Sequence, residues 1–192
     1  MIINILIAIS GGLMAVFLIQ LLRVFWQQKT ELSYHSNILR TIELGSADFV
    51  HKGIIPIEFT ARGNNISPSL YWSNIPSNTK SLVILATDYD APGPYLKLFV
   101  VDHWVIYNIS PTEKSIPKAI KISQLEGLSF GKNVYKETNN TGPKPLIGKH
   151  NYFFRIYALS ISNLNLMNPT KKEIMEAMKD NILAYGELIG QY

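Results

Sequence analysis

The sequence predicts a mainly β protein: an antiparallel β-sandwich with a C-terminal helix, preceded by an N-terminal transmembrane helix. Three observations carry this expectation. Short runs rich in β-branched and aromatic residues are separated by Pro/Gly/Asn turns, and the regular strand–helix alternation of a parallel sheet is missing. A single late segment carries helix-start chemistry. The front of the chain is a long uncharged apolar run from Ile2 to Leu22. The chain therefore divides into a membrane anchor (1–26), a linker with the first strand (27–47) and a sandwich domain (48–192).

The run from Ile2 to Leu22 is interrupted only by Asn4, Ser10 and Gln20 among polar side chains, and it is long enough to span a bilayer as a helix. Gly11-Gly12 costs a helix in water more than one in lipid. Arg23, Phe25, Trp26 and Lys29 follow as an interfacial set. A cleaved signal peptide needs a basic start and a small-x-small cleavage site, and neither is present. The expectation is an uncleaved, single-pass anchor. By the positive-inside rule Arg23 and Lys29 favour a cytosolic domain, but two charges do not fix the side.

Residues 27–37 are polar and mixed, turning into a first strand near Ile38–Leu44; His35 and His51 read as solvated. Ile54–Phe59 is a short strand, Ala61–Pro68 is turn chemistry, and Leu70-Tyr71-Trp72 is the next apolar piece. The centre of the chain is Ser81–Ile109. Ser81–Ala86 and Leu98–Val101 have the composition of fully buried strands, joined by a Pro/Gly turn. Asp88, Asp90, Asp102 and His103 interrupt this apolar material. A carboxylate or imidazole in a core costs several kcal/mol unless it is paired or opens onto water. These groups either satisfy one another or line a polar pocket. Ser110–Pro145 is irregular, with a polar loop at Lys136–Lys144, and Asn151–Ser160 is a core strand. Thr170 with Glu173 forms a capping box. Ile174, Met178, Ile182, Tyr185 and Ile189 then fall on one helical face, predicting a docked terminal helix.

Composition excludes several classes. The net charge of +4 is scattered, with no basic patch interleaved with aromatics, so nucleic-acid binding is not expected. The absence of cysteine removes disulfides, thiolate metal sites and thiol nucleophiles. His103, His150, Asp88 and Asp90 lack the HxH or HxxxH spacing of a metal set, and no metal or cofactor is expected. Gly127-Leu128-Ser129-Phe130-Gly131 matches the G-x-S-x-G pattern, but that pattern carries chemistry only on a strand-to-helix elbow of a parallel sheet. Here it reads as a Gly-flanked loop.

Separated blocks resemble one family. Asn65-Ile66-Ser67-Pro68 with Leu70 and Trp72, Asp88-Tyr89-Asp90-Ala91-Pro92 with His103-Trp104, Gly142-Pro143-Lys144-Pro145, and Gly148-Lys149-His150-Asn151-Tyr152 occur in the order found in the phosphatidylethanolamine-binding proteins. They are most similar to the bacterial and archaeal, Raf-kinase-inhibitor-like branch. The resemblance implies a non-enzymatic sandwich with a small pocket for anionic or phosphoryl groups, made by Asp88, His103 and His150. Asp90 and Pro92 would shape its loop, and Gly142 and Pro143 would line its rim. It also implies regulation of a protein partner, a kinase or a protease. Three positions depart from the pattern. Asn140 stands where the family has a pocket Tyr, Asn151 where it has Arg, and Leu146 where it has Pro. Tyr89 replaces a Pro, and Tyr89 or Tyr135 is a candidate to restore a donor. The alternatives are a hydrolase using Ser129 or a His/Asp pair, and a scaffold with a vestigial pocket.

Overall fold

A computed structural model gives the structure of residues 2–121, 124 and 127–192; side chains of residues 2–11, 28 and 31–33 are not described. After a first helix, α1 (Ile2–Ser36), the chain builds two sheets. The larger contains β2 (Gly53–Ile54), β4 (Ser81–Gly93), β5 (Leu96–Ile109), β7 (Ser129–Phe130), β8 (Asn151–Leu159) and β9 (Ile182–Gln191), in the order β2-β9-β8-β4-β5-β7. The smaller contains β1 (Glu43–Gly45), β3 (Leu70–Ser73) and β6 (Ser115–Ile116), in the order β1-β3-β6. Pairing is antiparallel except for β2 on β9. A short helix, α2 (Lys171–Met178), crosses between β8 and β9.

The continuous apolar run of Ser81–Ala86 follows from its place in the middle of the larger sheet, covered on both faces. Leu82, Ile84 and Ala86 point between the sheets with Trp72, Trp104, Ile106 and Ile156. Val83 and Leu85 point the other way, with Val105, Tyr157, Ile174 and Met178. Ile84 and Ile156 face each other in register and are fully buried. Each contributes roughly 1.5–3 kcal/mol by burial. In β3 the alternation is clean, with Leu70 and Trp72 inward and Tyr71 and Ser73 outward. The burial expected at Leu98–Val101 instead begins at His103, because the outer half of the hairpin projects past the sheet's neighbours.

The capping box forms as expected: Thr170 accepts from the Glu173 N–H, and its own N–H donates to Glu173 Oε2 at 2.7 Å. The helix ends at Met178, however, and Ile182–Gln191 is a strand. The apolar spacing of the terminal segment is shared by both periodicities. Gly186 and Gly190 decide between them. Both face inward with Ala184 and Leu188, and a Cβ on Gly186 would lie 2.4 Å from the Ile42 carbonyl oxygen.

The single-pass membrane anchor is not supported. Among the described residues no helix is long and apolar enough to cross a membrane. The side chains of residues 2–11, part of the expected span, lie outside the described residues. The helix does not stop at Arg23 and Trp26 but runs unbroken to Ser36 through the expected linker, and it lies against the domain. Val24 is buried, Gln20 Nε2 donates to Leu98 O at 3.3 Å, and the Tyr34 hydroxyl donates to Met175 O at 3.4 Å. His35, expected in solvent, is buried with its Nε2 2.7 Å from Tyr157 Oη.

Candidate functional site

β4, β5 and β8 bring most of the expected residues to one end of the sandwich. Asp88 is the last β4 residue paired with β8, opposite Tyr152, and His150 immediately precedes β8. Their side chains meet, with His150 Nδ1 2.7 Å from Asp88 Oδ2. The other ring nitrogen, Nε2, lies 3.2 Å from the Ile147 carbonyl. Each ring nitrogen thus faces an oxygen. The second Asp88 oxygen accepts the Asp90 N–H at 2.7 Å. Asp88 is thus satisfied where it stands, and it braces His150.

Asp90 faces away from that pair. Lys97 Nζ lies 2.7 Å from its Oδ1, while the N–H and Nδ2 of Asn151 both donate to its Oδ2 at 2.9 Å. Burial pushes this carboxyl up, but Lys97 and the two Asn151 donors outweigh it and hold the group below its usual range. Asn151 therefore takes the role of tying the Asp90 loop to β8. Pro92 follows a cis peptide, and its carbonyl accepts from Ile147 N at 3.1 Å. Asp90 and Pro92, like Asp88 and His150, are not among the residues lining the pocket.

His103 owes its direction to an irregular pairing. Ala86 pairs with Trp104 and Thr87 with Asp102, so His103 is an extra residue in the β5 ladder. Such a bulge re-aims a side chain. His103 points between the sheets, with Trp104, into a small pocket also lined by Ile55, Phe59, Asn140, Pro143 and Tyr152. Its Nδ1 donates to the Thr141 carbonyl at 2.6 Å. Its Nε2 is buried without a partner among the described residues, as are Asn140 Nδ2 and the Tyr152 hydroxyl. All three belong to side chains lining this one pocket, whose free space is about one water molecule.

Burial lowers the pKa of His103 from its ordinary value of 6.5, opposed by the Thr141 carbonyl, Asp88 and Asp102. At neutral pH the ring is accordingly uncharged, with Nδ1 protonated and Nε2 a bare acceptor. The unfolded chain takes up this proton more readily than the folded one. Stability is therefore expected to fall as pH drops below 6.5, by up to about 1.4 kcal/mol per pH unit from this group. Urea midpoints taken near pH 8 and near pH 5.5 measure it: His103→Gln should lose less than the wild type, and equal losses would count against the assignment. Tyr152 is shifted up by burial and then by Asp88 and Asp90, so it stays a neutral donor.

Asn133 organises the loop that completes the pocket. Its Nδ2 donates to Asn139 Oδ1 at 2.8 Å, and its Oδ1 accepts from the N–H groups of Tyr135 and Glu137. Gly142 N donates to Asn65 Oδ1 at 2.7 Å, and Pro143 O accepts from Ala61 N at 3.0 Å. Sequence reasoning missed Asn133 and did not select Tyr152. The second had a signal: it lies two residues after His150, on the same strand face. Asn140, read as a lost donor, supplies one. Neither proposed substitute reaches the pocket: Tyr135 is exposed and Tyr89 faces the opposite side of the sheet.

Ser129 pairs through β7 with Tyr107, and no helix follows it, so the elbow geometry of a nucleophile is absent.

Residues 45–192 match the family model for phosphatidylethanolamine-binding protein. A UPF0098 protein of Archaeoglobus fulgidus is 33% identical over 187 residues, which cover 96% of this chain and 61% of that protein. The chain thus spans less than two thirds of that relative's length. A UPF0098 protein of Methanothermobacter thermautotrophicus is 37% identical over 148 residues, covering 75% of this chain and 93% of that one. Among solved structures, the phosphatidylethanolamine-binding protein homolog CT736 of Chlamydia trachomatis superposes with a TM-score of 0.72 at 32% identity, covering 80% of this chain and 97% of its own. Escherichia coli YbcL shares the fold, with a TM-score of 0.71 at 22% identity over 79% of this chain and 98% of its own. A match across the whole two-sheet domain, with relatives above 30% identity, leads to one conclusion: the chain belongs to the phosphatidylethanolamine-binding protein family.

Proposed function

We propose that this protein is a binding protein, not an enzyme, and that its pocket takes the head of a small phosphoryl or other oxyanion group. One observation carries the reading: His103 Nε2, Asn140 Nδ2 and Tyr152 Oη are buried, unpartnered among the described residues, and gathered at one apolar-walled pocket. Buried polar atoms left in this state call for a partner. A hydrogen phosphate or phosphate monoester anion matches them. Its P–O–H donates to neutral His103 Nε2, and its charged oxygens accept from the Asn140 amide and the Tyr152 hydroxyl. The pocket is narrow, so such a group enters head first and displaces a water-sized volume. Asp88 and His150 support this arrangement from behind through the contact of His150 with Tyr152, ring centroids 6.4 Å apart.

The hydrolase reading has less support. His150 turns its two ring nitrogens to Asp88 and to the Ile147 carbonyl and does not line the pocket, and Ser129 lies outside the residues lining it as well. Regulation of a kinase or protease would run through occupancy of the pocket. A partner that bound indifferently to phosphoethanolamine would count against that part.

Titrating the full chain with phosphate and phosphoethanolamine, while following the His103 and His150 ring signals by NMR, tests the proposal. Saturable shifts in the wild type, lost in His103→Ala with the fold retained, are expected. Flat titrations at millimolar ligand would overturn it.

A further inference from the structure

Asp102 precedes His103 on β5 but faces the opposite side of the larger sheet, the side covered by α1 and α2. There a cleft of about 590 Å³ opens, lined by Arg23, Gln27 and Tyr34 of α1, by Asp102, and by Lys171 and Lys172 of α2. This volume is in the range of small-molecule sites and far exceeds that of the pocket at His103.

The floor of the cleft is built rather than incidental. Lys171 is only 4% exposed. Its Nζ lies 3.3 Å from Asp102 Oδ1 and donates to Tyr89 Oη at 3.3 Å, and it sits 5.0 Å from the centroid of the Tyr89 ring. Tyr89, which stands where the family usually has Pro, is held from its other side by Arg155, whose Nη1 donates to the same hydroxyl at 2.8 Å. The departure from the family pattern thus fixes a buried cation beneath the cleft.

The walls are not charge-balanced. Lys171 is matched by Asp102, and Lys179 by Glu176 at 3.3 Å. Arg23 and Lys172 remain, one on each helix, with no ion pair among the described residues. Two uncompensated cations across a cleft, one of them a guanidinium, are the complement of a phosphate dianion. Met175 and the Tyr34 ring supply the less polar part of the wall.

We infer that the cleft between α1 and α2 is a second ligand site, for an organic phosphate monoester of about nucleotide size. Arg23 and Lys172 hold its phosphate, and Tyr34 and Met175 cover its uncharged body. The site is separate from the His103 pocket and does not depend on the reading of that pocket.

Calorimetric titration of the full chain with adenosine 5′-monophosphate tests this, with adenosine as the uncharged control. In the His103→Ala background, so that the smaller pocket does not contribute, saturable binding is expected, weakened roughly tenfold or more when Arg23→Gln and Lys172→Gln are added. Both substitutions are at exposed positions, and circular dichroism checks that the variant keeps its fold. No binding at millimolar nucleotide in His103→Ala, equal binding of adenosine, or undiminished binding once Arg23 and Lys172 are replaced would each overturn the assignment.

Discussion

Replacing Asp88 by Ala is expected to lower the stability of the fold by about 3–5 kcal/mol, read as a fall in the urea midpoint. Asp88 is 3% exposed and satisfies two buried groups at once, the His150 ring and the Asp90 N–H, each at 2.7 Å. Truncation leaves both without a partner in a place water does not reach, and the cost comes from those orphans rather than from the lost carboxylate. Asp88→Asn keeps the shape and one acceptor, so it should lose less. Ligand affinity should fall too. Asp88 holds the His150 ring that packs against Tyr152 at the pocket, so its loss loosens one of the pocket's donors. An Asp88→Ala protein within about 1 kcal/mol of wild type would show that the pair does not hold this end of the sandwich together.

Gly142→Ala is expected to cost about 1–3 kcal/mol and to weaken phosphate binding about tenfold. An added Cβ would lie 2.2 Å from the Phe59 carbonyl oxygen and 2.8 Å from Thr60 Cα. These are backbone atoms that no rotamer change can move. The loop must retreat instead, carrying with it the Gly142 N–H bond to Asn65 and the adjacent Thr141 carbonyl that orients His103. Thermal unfolding and the phosphate titration, run on the same variant, measure both effects. Normal affinity in a destabilised protein would mean that the rim glycine serves packing alone.

The sandwich was legible because it rests on local composition and on motif blocks; the same blocks marked Asp88 and His150, but as pocket residues, whereas they bond to each other outside the pocket's lining. Ser81–Ala86 announces a strand covered on both faces, and a carboxylate at the end of such a strand has few options besides a partner. His103 was legible as a pocket residue but not for its geometry. Its direction depends on one extra residue in the pairing of β5 with β4, and sequence alternation cannot register a bulge. The terminal segment misled because Ile174, Met178, Ile182, Tyr185 and Ile189 satisfy a helical face, while the inward Gly186 and Gly190 matter only once Ile42 and Ile55 are packed against them. The front end misled for a related reason. Hydropathy weighs Ile2–Leu22 alone, whereas the docking of α1 is set by Tyr34 and His35, well beyond it, meeting Met175 and Tyr157 from distant parts of the chain.

The docked helix also sets the two faces of the larger sheet apart. The family model covers residues 45–192, so the pocket at His103 lies wholly within the shared domain, while the Arg23–Tyr34 wall of the larger cleft lies outside it. One sheet therefore carries, on one face, a pocket built only from residues within the matched domain and, on the other, a cleft half of whose wall comes from a helix that the family model does not include. A change in α1 can therefore reshape the second face without touching the first.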